Sequence, residues 1–128
     1  ELTDIFPTFY EVLSLSVPDS VQGVSLPPIL QGGRDPSVHR DMVRCEYHDA
    51  LDRPLVSHAN MLFDGRYKLV VYHGHEIGEL YDFERDPKEF HNLWQQEEYS
   101  DLRCDLTKRL FDDIILTRNL GVPRTGRF

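Results

Sequence analysis

From Asp41 onward the chain alternates apolar and polar residues with a period of two, in short runs rich in β-branched and aromatic side chains. Residues 41–47, 55–63, 67–73 and 79–83 each read as a strand, because alternate side chains of a strand share one face and that face must be apolar to be buried. Asp64-Gly65 separates the middle two runs with the two-residue chemistry that closes a hairpin. Arg85-Asp86-Pro87 stops the last run with a turn. Over 97–117 the period changes: Tyr99, Leu102, Leu106, Leu110, Phe111, Ile114 and Ile115 recur every three or four positions, the stripe of a long amphipathic helix able to cover one face of the sheet. Gly121 and Pro123 end it, and 124–128 reads as a frayed tail. The expected fold class is α+β, a small antiparallel four-stranded sheet packed against a long C-terminal helix.

An N-terminal helix and an extended loop precede this unit. Leu2, Ile5, Phe6, Phe9, Val12 and Leu13 fall on one helical stripe, with Thr3 as N-cap and Pro7 in the first turn. Residues 14–33 place Pro18, Gly23, Pro27, Pro28, Gly32 and Gly33 among apolar residues, a loop pinned to a surface with one helical turn at 28–31. The stretch 32–40 is the expected boundary before the strands. At 128 residues the chain suits one domain. Its charge of −8 and scattered cations argue against a nucleic-acid partner. No apolar run approaches the roughly 20 residues that cross a bilayer, so no membrane partner is expected. Cys45 and Cys104 are too few for a disulfide scaffold, and their redox state stays open. The chain opens at Glu1 inside an apolar helix pattern, and we expect it to be part of something longer.

Chemistry is signalled weakly. His73-Gly74-His75 lies at a strand end with Arg40, Cys45, His48 and His58 in neighbouring elements. On a strand His73 and His75 would share a face, as substrate contacts or as two ligands of zinc, with no third ligand signalled; the competing reading is a polar strand-to-turn junction. Cys45, beside Glu46, and Cys104, beside Asp105, lack the electropositive setting that activates a thiol. No G-x-S-x-G elbow and no phosphate-cradling glycine loop occurs. Asp82, Glu84, Asp86 and Glu89 read as a solvated acidic edge with turn caps. Lys68 reads as the outward partner of inward Tyr67 and Leu69.

Three segments, in order, resemble the C-terminal part of the sulfatase family, within the alkaline-phosphatase-like superfamily. Asp4 to Thr8 with Gly23-Val24-Ser25-Leu26 resembles a D-x-x-P-T helix followed by G-x-S-L. Arg66-Tyr67-Lys68-Leu69 resembles an R-Y-K-L strand. Glu79-Leu80-Tyr81-Asp82-Phe83 with Asp86-Pro87, Glu89 and Asn92-Leu93 resembles E-L-Y-D-L-x-x-D-P-x-E-x-x-N-L, the most specific of the three. The resemblance implies that residues 1–33 close a large catalytic domain and that 34–128 form the small C-terminal subdomain. Within it, Glu89 is expected to hold backbone N–H groups and Asn92-Leu93 to anchor the crossing toward the helix.

The resemblance also implies a parent that hydrolyses sulfate esters, or in sister families phosphate or phosphonate esters. Its nucleophile would be formylglycine made from Cys or Ser in C/S-x-P-x-R, assisted by a divalent cation, calcium. Neither cysteine here begins that motif, and Ser25-Leu26-Pro27-Pro28-Ile29 lacks its Arg. We therefore expect no catalytic residue, metal site or cofactor in this chain, and a missing N-terminal catalytic domain as its partner. Substrate contacts, where this region makes them, are expected from Tyr72, His73 and His75, with His58 and Asn60 on the neighbouring strand. Two other readings are a stand-alone interaction domain that forms a homodimer through the apolar first helix, and a small metal-binding module on His73 and His75.

Overall fold

The computed structural model describes residues 1–49 and 58–117. The strand expected from residue 55 therefore has its first three positions outside the described residues, as do Gly121, Pro123 and the tail. The chain forms two compact units, Glu1–His39 with the segment from Ile114 on, and Arg40–Asp113.

In the second unit four antiparallel strands run in sequence order, β1 (Val43–His48), β2 (His58–Phe63), β3 (Tyr67–Tyr72) and β4 (Gly78–Asp82). Register sets the two faces: Arg44 pairs with Leu62, Leu62 with Leu69, and Leu69 with Leu80, so these four share one face. Leu62, Leu69 and Leu80 are fully buried, as is Leu106 of the long helix, with Leu110 nearly so. Two ion pairs hold that helix on the leucine face. Arg44 Nη1 meets Asp113 Oδ2 at 2.6 Å, and Arg109 Nη1 meets Asp64 Oδ2 at 3.0 Å. The α+β class read from the periodicity is thus the observed one.

The hairpin between β2 and β3 closes on Asp64 and Gly65, but only Gly65 is left-handed (φ 95°). Asp64 instead uses its carboxylate, whose Oδ1 accepts from the N–H groups of Arg66 (3.1 Å) and Tyr67 (2.8 Å). The edge of β4 is closed by a side chain. Asn92 accepts from Leu80 N–H (3.0 Å), donates to Gly78 C=O (3.0 Å), and is followed by Leu93 N–H donating to Leu80 C=O (2.8 Å). A pendant amide thus occupies edge groups that would otherwise recruit another strand.

In the first unit a 3₁₀ turn (Leu2–Asp4) leads into α1 (Ile5–Val12), and Thr3 is not its cap; its hydroxyl donates to Glu1. A short α2 (Pro27–Leu30) begins on Pro27, as a proline-tolerant first turn allows. The D-x-x-P-T and G-x-S-L strings meet. Asp4 Oδ1 accepts from Val24 N–H (2.7 Å) and Thr8 Oγ1 accepts from Leu26 N–H (3.0 Å). Gly23 lies so close that a Cβ there would sit 2.1 Å from Thr3 C=O.

The C-terminal helix begins as a 3₁₀ turn (Glu97–Tyr99) and continues as α3 (Ser100–Leu116). Of its expected stripe, Phe111 and Ile115 are exposed rather than buried. A straight helix over so small a sheet buries two successive turns around Leu106 and Leu110, and residues one position off that line turn outward. Among the described residues no helix is long and apolar enough to cross a membrane.

Two substitutions test these contacts. Asn92→Ala should lower the free energy of unfolding by about 2 kcal/mol, since it strands two edge groups of β4; a urea titration reads this. Gly23→Ala should cost about 1–3 kcal/mol by overpacking against backbone that cannot rotate away.

Candidate functional site

The histidines expected to form a site are divided by the end of β3. That strand stops at Tyr72, and His73-Gly74-His75 forms the turn into β4, with Gly74 at φ 80°. Strand alternation therefore does not apply to His73 and His75. His75 is exposed at the turn tip, its N–H donating to Tyr72 C=O at 3.2 Å.

His73 turns instead toward β2. Its Nε2 lies 2.7 Å from Asn60 Oδ1, and its N–H donates to His58 C=O at 2.8 Å. Asn60 is buried, 5% exposed, so the amide is fixed and orients the ring. His58 faces His48 across β1, the rings edge to face with centroids 5.1 Å apart. Glu46 lies opposite Asn60, with Oε2 4.0 Å from His48 Nε2 and Oε1 3.1 Å from Arg44 Nε. Glu46, His48, His58, Asn60 and His73 thus form one polar strip on the leucine face of the sheet, beyond the buried leucines. Glu46 was not read as a site residue from sequence; its signal was the alternation that aligns it with Arg44 and His48.

Tyr72 points to the other face. Its hydroxyl donates to Glu79 Oε1 at 2.6 Å. That bond, reinforced by burial and by the carboxylate charge, pushes the phenol up to about 12. Tyr72 borders two cavities. One, about 330 Å³, is lined by Cys45, Tyr47, Ala59, Met61, Val70 and Tyr72. The other, about 390 Å³, lies at the β4 edge against Ile77, Glu79 and Trp94. Trp94 is architectural, since Arg103 lies over its ring at 5.2 Å from the centroid and Gly78 packs so tightly on it that a Cβ would sit 2.5 Å away.

The acidic segment is not a solvated edge throughout. Asp82 is buried, 3% exposed, and its carboxylate accepts from Arg66 Nη2 (2.8 Å) and Nε (3.2 Å) and from Glu84 N–H (3.1 Å). The Arg66 bond chiefly holds the Asp82 carboxyl below the usual carboxylate range, against burial that pushes it up. Asp86 is held low mainly by the His91 N–H. Glu89, expected to cap backbone groups, pairs with Lys68 Nζ at 2.6 Å, and Lys68 is half-buried rather than outward in solvent. R-Y-K-L and the E-L-Y-D string are therefore two halves of one charge lattice, Arg66 on Asp82 and Lys68 on Glu89.

The metal and nucleophile implied by the family resemblance do not fit these residues. Cys45 leads into Glu46-Tyr47-His48 and Cys104 into Asp105-Leu106-Thr107. Among the described residues no three His, Cys, Asp or Glu side chains converge as a ligand set.

Residues 1–115 match the family model described as N-sulphoglucosamine sulphohydrolase, C-terminal. The chain belongs to that family. It is 31% identical over 112 residues to a Delta 4,5-hexuronate-2-O-sulfatase of Bacteroides thetaiotaomicron, covering 88% of this chain and 23% of that protein. The solved structure of a 2-O GAG sulfatase superposes with a TM-score of 0.77 at 29% identity, over 89% of this chain and 24% of that one. The phosphonate monoester hydrolase of Agrobacterium radiobacter superposes with a TM-score of 0.73 at 27% identity, over 90% of this chain and 25% of that one. The sulfatase C-terminal chain thus spans about a quarter of the length of these proteins, in which the matching region is part of one longer polypeptide.

Two titrations follow. A phenol raised by a carboxylate partner contributes stability that is complete below the ordinary tyrosine value near 10 and is lost as pH rises through about 12. Ultraviolet titration should show Tyr72 ionising late, and Glu79→Gln should bring that step down. For Asp82 the sign reverses: its contribution is complete above about 4 and lost as pH falls through its lowered value. The urea midpoint should fall below about pH 4 in the parent chain and less steeply in Asp82→Asn.

Proposed function

We propose that this chain is the C-terminal part of a hydrolase of sulfate esters, inert alone, that supports the fold of the longer enzyme and contributes to its substrate pocket. The carrying observation is the family match over residues 1–115, in a chain that spans 23% of its 2-O-sulfatase relative. On this reading formylglycine and a divalent cation, calcium, belong to the N-terminal part. Residues 1–33 close the catalytic domain and 34–128 are the subdomain.

Support for the missing partner comes from α1. Ile5, Phe6, Phe9 and Val12 are 45–65% exposed, an apolar stripe that a neighbouring domain would cover. The same stripe favours a second reading, self-association of the isolated chain through α1.

Substrate contact is assigned to the polar strip, with His73, His58 and Asn60 as hydrogen-bonding groups and His75 at its rim. Tyr72, on the other face, is assigned no direct contact with these residues.

The test uses nitrophenyl sulfate and phenyl phosphonate esters. The 128-residue chain should hydrolyse neither, and the longer polypeptide should prefer the sulfate. His73→Ala in that polypeptide should raise KM about tenfold, a loss of about 1.4 kcal/mol in binding. Unchanged kcat and KM would remove the strip from the site, and a preference for phosphonate would reassign the reaction.

A further inference from the structure

We propose that the cavity at the β4 edge takes an arginine side chain from the part of the longer polypeptide that lies outside these 128 residues, with Glu79 as its carboxylate partner. The inference rests on the chain being one part of a longer polypeptide, and not on the chemistry which that polypeptide performs.

The other acids of β4 and of the turn beyond it find their donors within the chain. Asp82 and Glu84 meet Arg66, Asp86 accepts from the His91 N–H, and Glu89 meets Lys68. Glu79 differs. It lies opposite Val70 on the sheet face away from the leucines, and it is half-buried. Among the described residues it meets no cation; its carboxylate accepts from the neutral Tyr72 hydroxyl at 2.6 Å. The nearby cations are committed elsewhere. Lys68, on the same face and opposite Tyr81, gives its Nζ to Glu89. Arg103, over the Trp94 ring, donates to the Trp94 C=O. The phenols beside Glu79 register its charge: Tyr72 is pushed up chiefly by its bond to that carboxylate, and Tyr81 chiefly by burial with the Glu79 charge next. A partly desolvated carboxylate whose partner is a neutral hydroxyl keeps lone pairs that a cationic donor meets with a stronger, charge-assisted bond.

The cavity suits a guanidinium better than an ammonium. In its volume of about 390 Å³, Glu79 and the Gln95 amide form the polar wall, and Ile77, Tyr72 and Trp94 the apolar one. Asn92 also lines it but uses its amide on the β4 edge. Arginine carries a planar, weakly hydrated cation that lies on aromatic rings and forks onto a carboxylate, behind an aliphatic stem that apolar walls accept. Charge selects the partner too. With 14 Lys and Arg against 22 Asp and Glu, the chain is complementary to a cationic surface. The relatives join this region, about a quarter of their length, to a larger remainder in one polypeptide, which keeps such a surface in reach at high effective concentration.

The probe is N-acetyl-arginine amide, read by fluorine NMR on the chain labelled with fluorotryptophan, in which Trp94 is the single tryptophan. The Trp94 signal should move saturably with the probe in the 128-residue chain. N-acetyl-citrulline amide, its neutral isostere, should bind at least tenfold more weakly. So should the arginine probe to Glu79→Gln, whose amide oxygen still accepts from Tyr72. No saturable movement, an equal response to the citrulline probe, or a response unchanged in Glu79→Gln would overturn the site. In the longer polypeptide the same signal is assigned by its loss in Trp94→Phe. There the arginine probe should leave Trp94 unmoved, because the site is filled, and any saturable movement would overturn the occupant. Hydrolysis of nitrophenyl sulfate by that polypeptide is measured separately, so failure of the docking site leaves the sulfatase reading standing, and failure of hydrolysis leaves the docking site standing.

Discussion

The strand unit depends on one buried charge. Asp82 ends β4 with its carboxylate out of water, a placement that is costly unless the charge is met by several donors. Arg66 meets it with two N–H groups from the start of β3, and the following backbone supplies a third at Glu84. The same carboxylate therefore fixes where β3 begins, where β4 ends and how the chain turns beyond it. Lys68 on Glu89 and Asn92 on β4 continue that lattice, so Leu80 N–H and Gly78 C=O at the β4 edge each have a partner.

These pairs account for the spacing of the short strings in this chain. R-Y-K-L and the E-L-Y-D string are far apart in sequence but form opposite halves of the same set of ion pairs. The first string pair is built alike: Asp4 and Thr8 each hold one N–H of the segment that follows Gly23. They are the fasteners of a region that the longer relatives carry at one end of a catalytic polypeptide.

The polar strip has a different character. Only Asn60 within it is buried, and it orders His73 by a single hydrogen bond, leaving His48 and His58 on the surface. Its other side chains meet one another, Glu46 at His48 and His48 edge to face with His58. Tyr72 has its partner in Glu79 and is committed to the opposite face.

Alternation, the Asp64-Gly65 hairpin and the helical stripe were enough to read four antiparallel strands and a covering helix from the sequence, because each is a local rule acting over a few residues. The order of the short strings was enough to read the family. The sequence could not show that β3 would stop at Tyr72, since a turn one residue earlier or later depends on Gly74 and on the bond His73 makes to a residue of β2. Nor could it show that Asp82 is buried or that Glu89 takes Lys68, because a carboxylate's partner is chosen by which strands are neighbours. Periodicity determined the elements and their faces. Register, which exists only once the strands pair, decided which side chains meet.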